Sequence, residues 1–162
     1  MKNSIQSCKL RPKVKSELTR VLEANNPRTS KKRLTKLAKD ESIRVRSEVA
    51  KNPKASASIL SKLANDDNDN IRYLVACNNN ATTKILKKLF VNSNAYVRRA
   101  IARNHNTPKE ILAKLAKDDD VLERIGVAEN PNTPSDILSE LANDIAWAVR
   151  SCVGKNPNAP NN

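Results

Sequence analysis

Asn130 to Lys155 reads NPNTPSDILSELANDIAWAVRSCVGK. The stretch recurs. Asn26, Asn52, Asn78, Asn104, Asn130 and Asn156 follow one another at intervals of 26 residues, with no insertion or deletion. Twenty places after each of the first five stands an arginine: Arg46, Arg72, Arg98, Arg124 and Arg150. One unit further back lies Arg20. A period of this length, one helical pair per unit, predicts a solenoid.

Each unit holds two helical patterns. In the first, Leu34, Leu60, Leu86, Leu112 and Leu138 are each followed three places on by Leu37, Leu63, Leu89, Leu115 and Leu141. Ile59, Ile85, Ile111 and Ile137 precede the first leucine, Arg33 being the exception. Ala38, Ala64, Phe90, Ala116 and Ala142 follow the second. Apolar residues so spaced form one helical stripe. Thr107-Pro108-Lys109-Glu110 and Thr133-Pro134-Ser135-Asp136 read as a hydroxyl N-cap, proline at N1 and an acid at N3.

The second helix carries Val45, Ile71, Val97 and Val149, then Val49, Val75, Ile101, Val127 and Val153. Unit four departs, with Glu123 at the upstream apolar place and Leu122 beside it. The recurring asparagine reads as a left-handed C′ residue, the place glycine usually takes. Such helices are too short to stand alone, so each buries its stripe against neighbours.

The pattern N-P-x-T-P-x-x-I-L-x-x-L-A-x-D, then V-R-x-x-V-A-x-N, resembles the variant leucine-rich repeat family from Asn26 to Lys155. More distantly it is similar to HEAT-type solenoids. The resemblance implies an all-α, right-handed α-solenoid of 26-residue helix pairs, some of them 3₁₀, with no β-sheet. Some relatives carry a cysteine-rich cluster domain at the N-terminus. This chain has only Cys8 there, so the resemblance brings no iron–sulfur site. The family implies no single activity.

The units are 26–51, 52–77, 78–103, 104–129 and 130–155. Residues 1–25 read as a degenerate first repeat or an N-terminal cap, with Val14, Leu18, Val21 and Leu22 as its stripe. Residues 156–162 open a sixth unit and stop before its leucines. Trp147, beside Ile145, reads as an apolar lid on the last unit or, alternatively, as a contact for end-to-end self-association. Met1 to Leu10 lacks the apolar stretch of a signal peptide. No run approaches the roughly 18 apolar residues of a membrane span.

The net charge of +13 is uneven. Residues 1–25 carry +4 and the five units carry +6, 0, +6, −2 and −1. That asymmetry points to an anionic partner on the N-terminal part, a protein or a nucleic acid or other polyanion. The candidate surface is Lys32, Lys36, Lys62, Lys84, Lys87, Lys88, Arg99 and Arg103. Lys36, Lys62, Lys88 and Lys114 share one register and form a row, neighbouring helices being about 8–10 Å apart. The plain alternative is a solvated face that aids solubility.

Arg46, Arg72, Arg98, Arg124 and Arg150 read as a structural ladder. Six places before each is Asp40, Asp66, Asn92, Asp118 or Asp144, in the turn between the paired helices. A guanidinium fork can bridge to that residue or to its copy in the next unit.

Tyr73, Phe90, Tyr96 and Trp147 are the only aromatics, too few for a base-stacking surface. Tyr73 and Tyr96 read as partly buried. Cys77 and Cys152 read as small buried residues. Three unpaired cysteines fit a reducing cytoplasm. Cys8, Cys77, Cys152 and His105 have no metal-ligand spacing. No catalytic constellation or cofactor motif is present. The expected function is a non-enzymatic binding scaffold. The alternatives are a DNA glycosylase-type enzyme on a HEAT-like frame, and a piece of a larger protein without its own activity.

Overall fold

The computed structural model describes residues 15–91 and 93–160, and these form eleven α-helices and no strand. They are α1 (Glu17–Asn25), α2 (Lys31–Leu37), α3 (Ile43–Lys51), α4 (Ala57–Leu63), α5 (Asp69–Cys77) and α6 (Thr83–Val91). Then come α7 (Ala95–Arg103), α8 (Lys109–Leu115), α9 (Val121–Glu129), α10 (Ser135–Leu141) and α11 (Trp147–Val153). Even-numbered helices are the first of each pair and odd-numbered helices the second.

Both leucines of each pair are buried, as are Val45, Val49, Ile71, Val75, Val97, Ile101, Val127, Val149 and Val153 of the second helices. Burying one leucine contributes about 1.5–3 kcal/mol. The second helices pack on one another far more closely along the stack than the first helices do. A stack spaced more tightly on one side curves towards that side, so the second-helix row is the inner one.

Four sequence expectations change here. All described helices are α; three-residue-back bonds occur at helix ends, as from Lys39 N–H to Lys36 O at 3.1 Å, and in the turns between units, as from Ala55 N–H to Asn52 O at 2.9 Å. Helix α1 exposes Leu18 and Leu22 and packs Val21 and Ala24 against the stack, so only part of its expected stripe faces the core; Val14 lies outside the described residues. Trp147 and Ile145 are 73% and 93% exposed and cover no core. Thr107 and Thr133 do not cap the helices that follow them. Pro108 and Pro134 occupy those N-caps, and the threonine hydroxyls turn back to donate to Ile101 O at 2.5 Å and Val127 O at 2.6 Å.

The asparagines differ most from expectation. Asn52 has φ −64° and ψ 127°, and Asn78 and Asn104, which precede no proline, are extended in the same way. No described non-glycine residue has positive φ. The asparagine therefore serves through its side chain. Asn78 Nδ2 donates across the preceding unit to Ala50 O at 2.7 Å and to Asn52 O, at that unit's start, at 3.3 Å. Its Oδ1 accepts the Asn80 N–H at 2.9 Å. Asn52, Asn104, Asn130 and Asn156 do the same. Asn80, Asn106, Asn132 and Asn158 add an outer rung to carbonyls one unit back. One edge of the solenoid is thus sewn by amides that satisfy buried carbonyls.

Candidate functional site

The opposite edge, where first helix turns into second, is sewn by charge. Arg46 on α3 donates Nε to Asp66 Oδ2 at 2.7 Å and Nη2 to Asp66 Oδ1 at 3.1 Å, reaching the next unit's turn. Its Nη1 donates to Asp40 O in its own turn at 2.8 Å. Arg20 with Asp40 and Arg124 with Asp144 repeat the fork. Arg98 to Asp118 is looser, at 3.4 Å. The turn acids in turn accept backbone N–H groups two residues on, as Asp144 does from Ala146. Arg72 is different, because its partner place in the next unit holds Asn92. Arg72 donates Nη1 to Asp66 O at 2.6 Å and pairs with Asp69 on its own helix. Arg150 donates to Asp144 O and Ile145 O.

The candidate cations divide into two groups. Lys32, Lys36, Lys62, Lys84, Lys87 and Lys88 are all exposed on the first helices of units 1 to 3. None of them stands within ion-pair distance of a carboxylate among the described residues. Arg99 and Arg103 stand apart from them on the second-helix row. Arg99 Nη2 donates to Asp120 at 2.5 Å, and Arg103 Nε to Glu129 at 2.9 Å. The sequence joined these two arginines to the lysines by net charge; the fold separates them, because acids of unit four neutralise them.

Glu123 explains part of that pairing. It is wholly buried, with Oε1 3.1 Å from Arg98 Nη2 and Oε2 3.6 Å from Arg99 Nε, yet neither oxygen is aligned for a hydrogen bond. Burial pushes its carboxyl above the usual range, Asp120 and Asp118 push the same way, and the two arginines only partly offset this. Beside it, α9 approaches α7 so closely that a Cβ on Gly126 would lie 2.8 Å from that of Ala102.

Tyr73 and Tyr96 flank a groove of about 300 Å³ on the second-helix row, with Arg99 over the Tyr96 ring at 5.5 Å. Tyr96 is 68% exposed, so it is not a core residue. Cys77 is exposed rather than buried, because α5 turns it outward beside Tyr73; Cys152 is half-buried. Cys8 lies outside the described residues. Among the described residues no cluster of His, Cys, Asp and Glu could hold a metal ion. No helix among them is long and apolar enough to cross a membrane.

Repeated helix pairs, two edge ladders and a continuous leucine core define an α-solenoid. The structure matches one described as a leucine-rich repeat variant with a novel repetitive protein structural motif, at TM-score 0.65 and 24% sequence identity. The match covers 89% of this chain and 57% of that one, so the chain spans little more than half of that protein's length. No family model matches the sequence, and no curated protein matches it.

Proposed function

We propose that this helical-repeat scaffold binds an anionic macromolecule along the first-helix face of units 1 to 3. One observation carries the reading. The arginines of these units are mostly committed to internal carboxylates, whereas the first-helix lysines are exposed and have no ion-pair partner among the described residues. Unpaired cations in register along a rigid stack hold a field that an anionic partner relieves and a neutral one does not. In units four and five the same face is partly neutralised, as by Lys109 with Asp136 and Lys117 with Glu140.

The test is a titration of heparin, duplex DNA, RNA and an acidic polypeptide at two salt concentrations. Binding that falls steeply with salt and is lost in the Lys36→Glu, Lys62→Glu, Lys88→Glu variant supports the reading. Equal binding by the variant, or none to any of the four at low salt, overturns it.

A further inference from the structure

The arginine ladder has one rung whose acid the sequence omits. Asp40, Asp66, Asp118 and Asp144 answer Arg20, Arg46, Arg98 and Arg124 from the next unit. The residue in register to answer Arg72 is Asn92. Unit three, to which Asn92 belongs, contains six basic residues and no acid. At this junction lies a groove of about 470 Å³, lined by Arg72, Lys88, Leu89 and Val91 on its cationic and apolar side. The same groove one unit earlier, lined by Arg46, Lys62 and Asp66, measures about 350 Å³ and holds a completed Arg–Asp pair.

From this juxtaposition we infer that an Asp or Glu side chain of an acidic protein segment docks into the groove and completes the Arg72 rung. The intact rungs show what an arginine at this place takes: a carboxylate engaged by Nε and Nη2 together, at 2.7 Å and 3.1 Å for Arg46. A planar two-oxygen acceptor fits that fork. Lys88 adds a second cation with no ion-pair partner among the described residues, and Lys84 and Lys87 extend the positive surface along α6. Two acids also line the groove. Asp66 is already held by Arg46, and Asp67 is exposed and opposes an incoming anion. Asp69, the present partner of Arg72, lies exposed on α5 and also accepts Asn94 Nδ2 at 2.6 Å, so exchanging it for an incoming carboxylate leaves it partnered. The inference rests on the proposed anionic partner and names its chemical class and its point of attachment.

The experiment measures binding of a labelled oligoglutamate peptide, its glutamine counterpart and duplex DNA to four proteins besides the parent. Asn92→Asp restores the sequence pattern of the other rungs and supplies the carboxylate internally. Arg72→Gln removes the fork. Asp67→Asn removes the opposing charge. Lys36→Glu with Lys62→Glu disturbs the face outside the groove. The expected result is oligoglutamate bound and oligoglutamine not bound. Asn92→Asp, with a raised Tm, and Arg72→Gln each weaken binding about tenfold, the scale of one charge-assisted pair. Asp67→Asn strengthens it. If Asn92→Asp raises Tm and leaves oligoglutamate affinity unchanged, the inference is overturned. A preference for DNA that ignores Asn92→Asp overturns it too. Loss of binding in the double lysine variant alone sinks this inference and leaves the wider reading standing; no binding to any probe sinks both.

Discussion

Asn104 reaches back across a whole repeat to donate its Nδ2 to Ala76 O at 2.7 Å. Asn104 is 6% exposed, and the same Nδ2 reaches Asn78 O at 3.2 Å while Oδ1 takes the Asn106 N–H at 2.8 Å. Substituting alanine leaves those groups buried without partners. Asn104→Ala is expected to cost about 2–3 kcal/mol, two or three hydrogen bonds at about 1 kcal/mol each. Asn104→Asp is expected to cost more at neutral pH, because a carboxylate would face two carbonyl oxygens. Its carboxyl would be held above the ordinary range in the folded state. The folded form would then bind the proton more tightly, and stability would rise as pH falls. Urea denaturation at pH 5 and pH 8 checks both; an aspartate variant indifferent to pH would show that the amide donates little.

The charged edge predicts acid lability. The Arg124 hydrogen bond holds the Asp144 carboxyl below the usual carboxylate range, against the opposing effect of burial, with help from the Ala146 N–H. Burial pushes Asp40 upward, yet Arg20 and the Ser42 N–H bring it below the ordinary value. A lowered folded pKa stabilises above the unfolded value of about 4 and stops doing so as pH falls through the folded value. Asp144→Asn is therefore expected to cost about 2 kcal/mol at pH 7, with the gap to the parent narrowing as pH falls below the unfolded value. Thermal melts across that range follow the difference directly. A constant gap down to pH 2 would mean that the pair works by packing and not by charge.

Repeats allow one unit to instruct another. Thr107 and Thr133 give their hydroxyls to the carbonyl six residues back, whereas Ala81 occupies the same buried place in unit three. The corresponding carbonyl there is Val75 O. Ala81→Thr is expected to raise stability by about 0.5–1 kcal/mol, one buried hydrogen bond's net worth. Differential scanning calorimetry reads the gain as a higher Tm. A fall would show that unit three packs too tightly there for a branched side chain.

The fold was legible because its signal is periodic: leucines three apart, in copies 26 apart, specify both the helical stripe and the stacking step. The long-range bonds that fix that step were partly hidden. Arg46 and Asp66 are visible as recurring types, but whether the fork meets its own turn or the next unit's depends on a 20-residue reach that only packing decides. The asparagines misled for a physical reason. Helix ends favour asparagine both for its backbone tolerance and for its amide, and extended φ and ψ at Asn78 and Asn104 show that the amide prevailed. Charge counting by unit located the basic part but joined Arg99 and Arg103 to the lysines, since composition carries no information on which cations face acids of the neighbouring unit.

Glu123 breaks the apolar pattern, and its removal is the least intuitive prediction. Val45, Ile71, Val97 and Val149 fill the equivalent place in other units and are fully buried. Glu123 buries a carboxylate there whose oxygens lack aligned donors, while Arg98 keeps Asp118 and Arg99 keeps Asp120 when it is gone. Replacing a poorly satisfied buried ion by a fitting apolar side chain is commonly neutral or stabilising by about 1–4 kcal/mol. Glu123→Val is therefore expected to stabilise the protein at pH 7. Because the folded carboxyl sits above its usual range, the parent binds that proton more tightly when folded, and its handicap is largest once pH exceeds the folded value. The gain should shrink as pH approaches 4, where the parent carries the group neutral. Chemical denaturation of parent and variant at pH 4 and pH 7 measures the difference. A destabilised variant at pH 7 would mean that Arg98 and Arg99 need Glu123 to hold α7 against α9, making the buried acid a clasp between units three and four and not a defect.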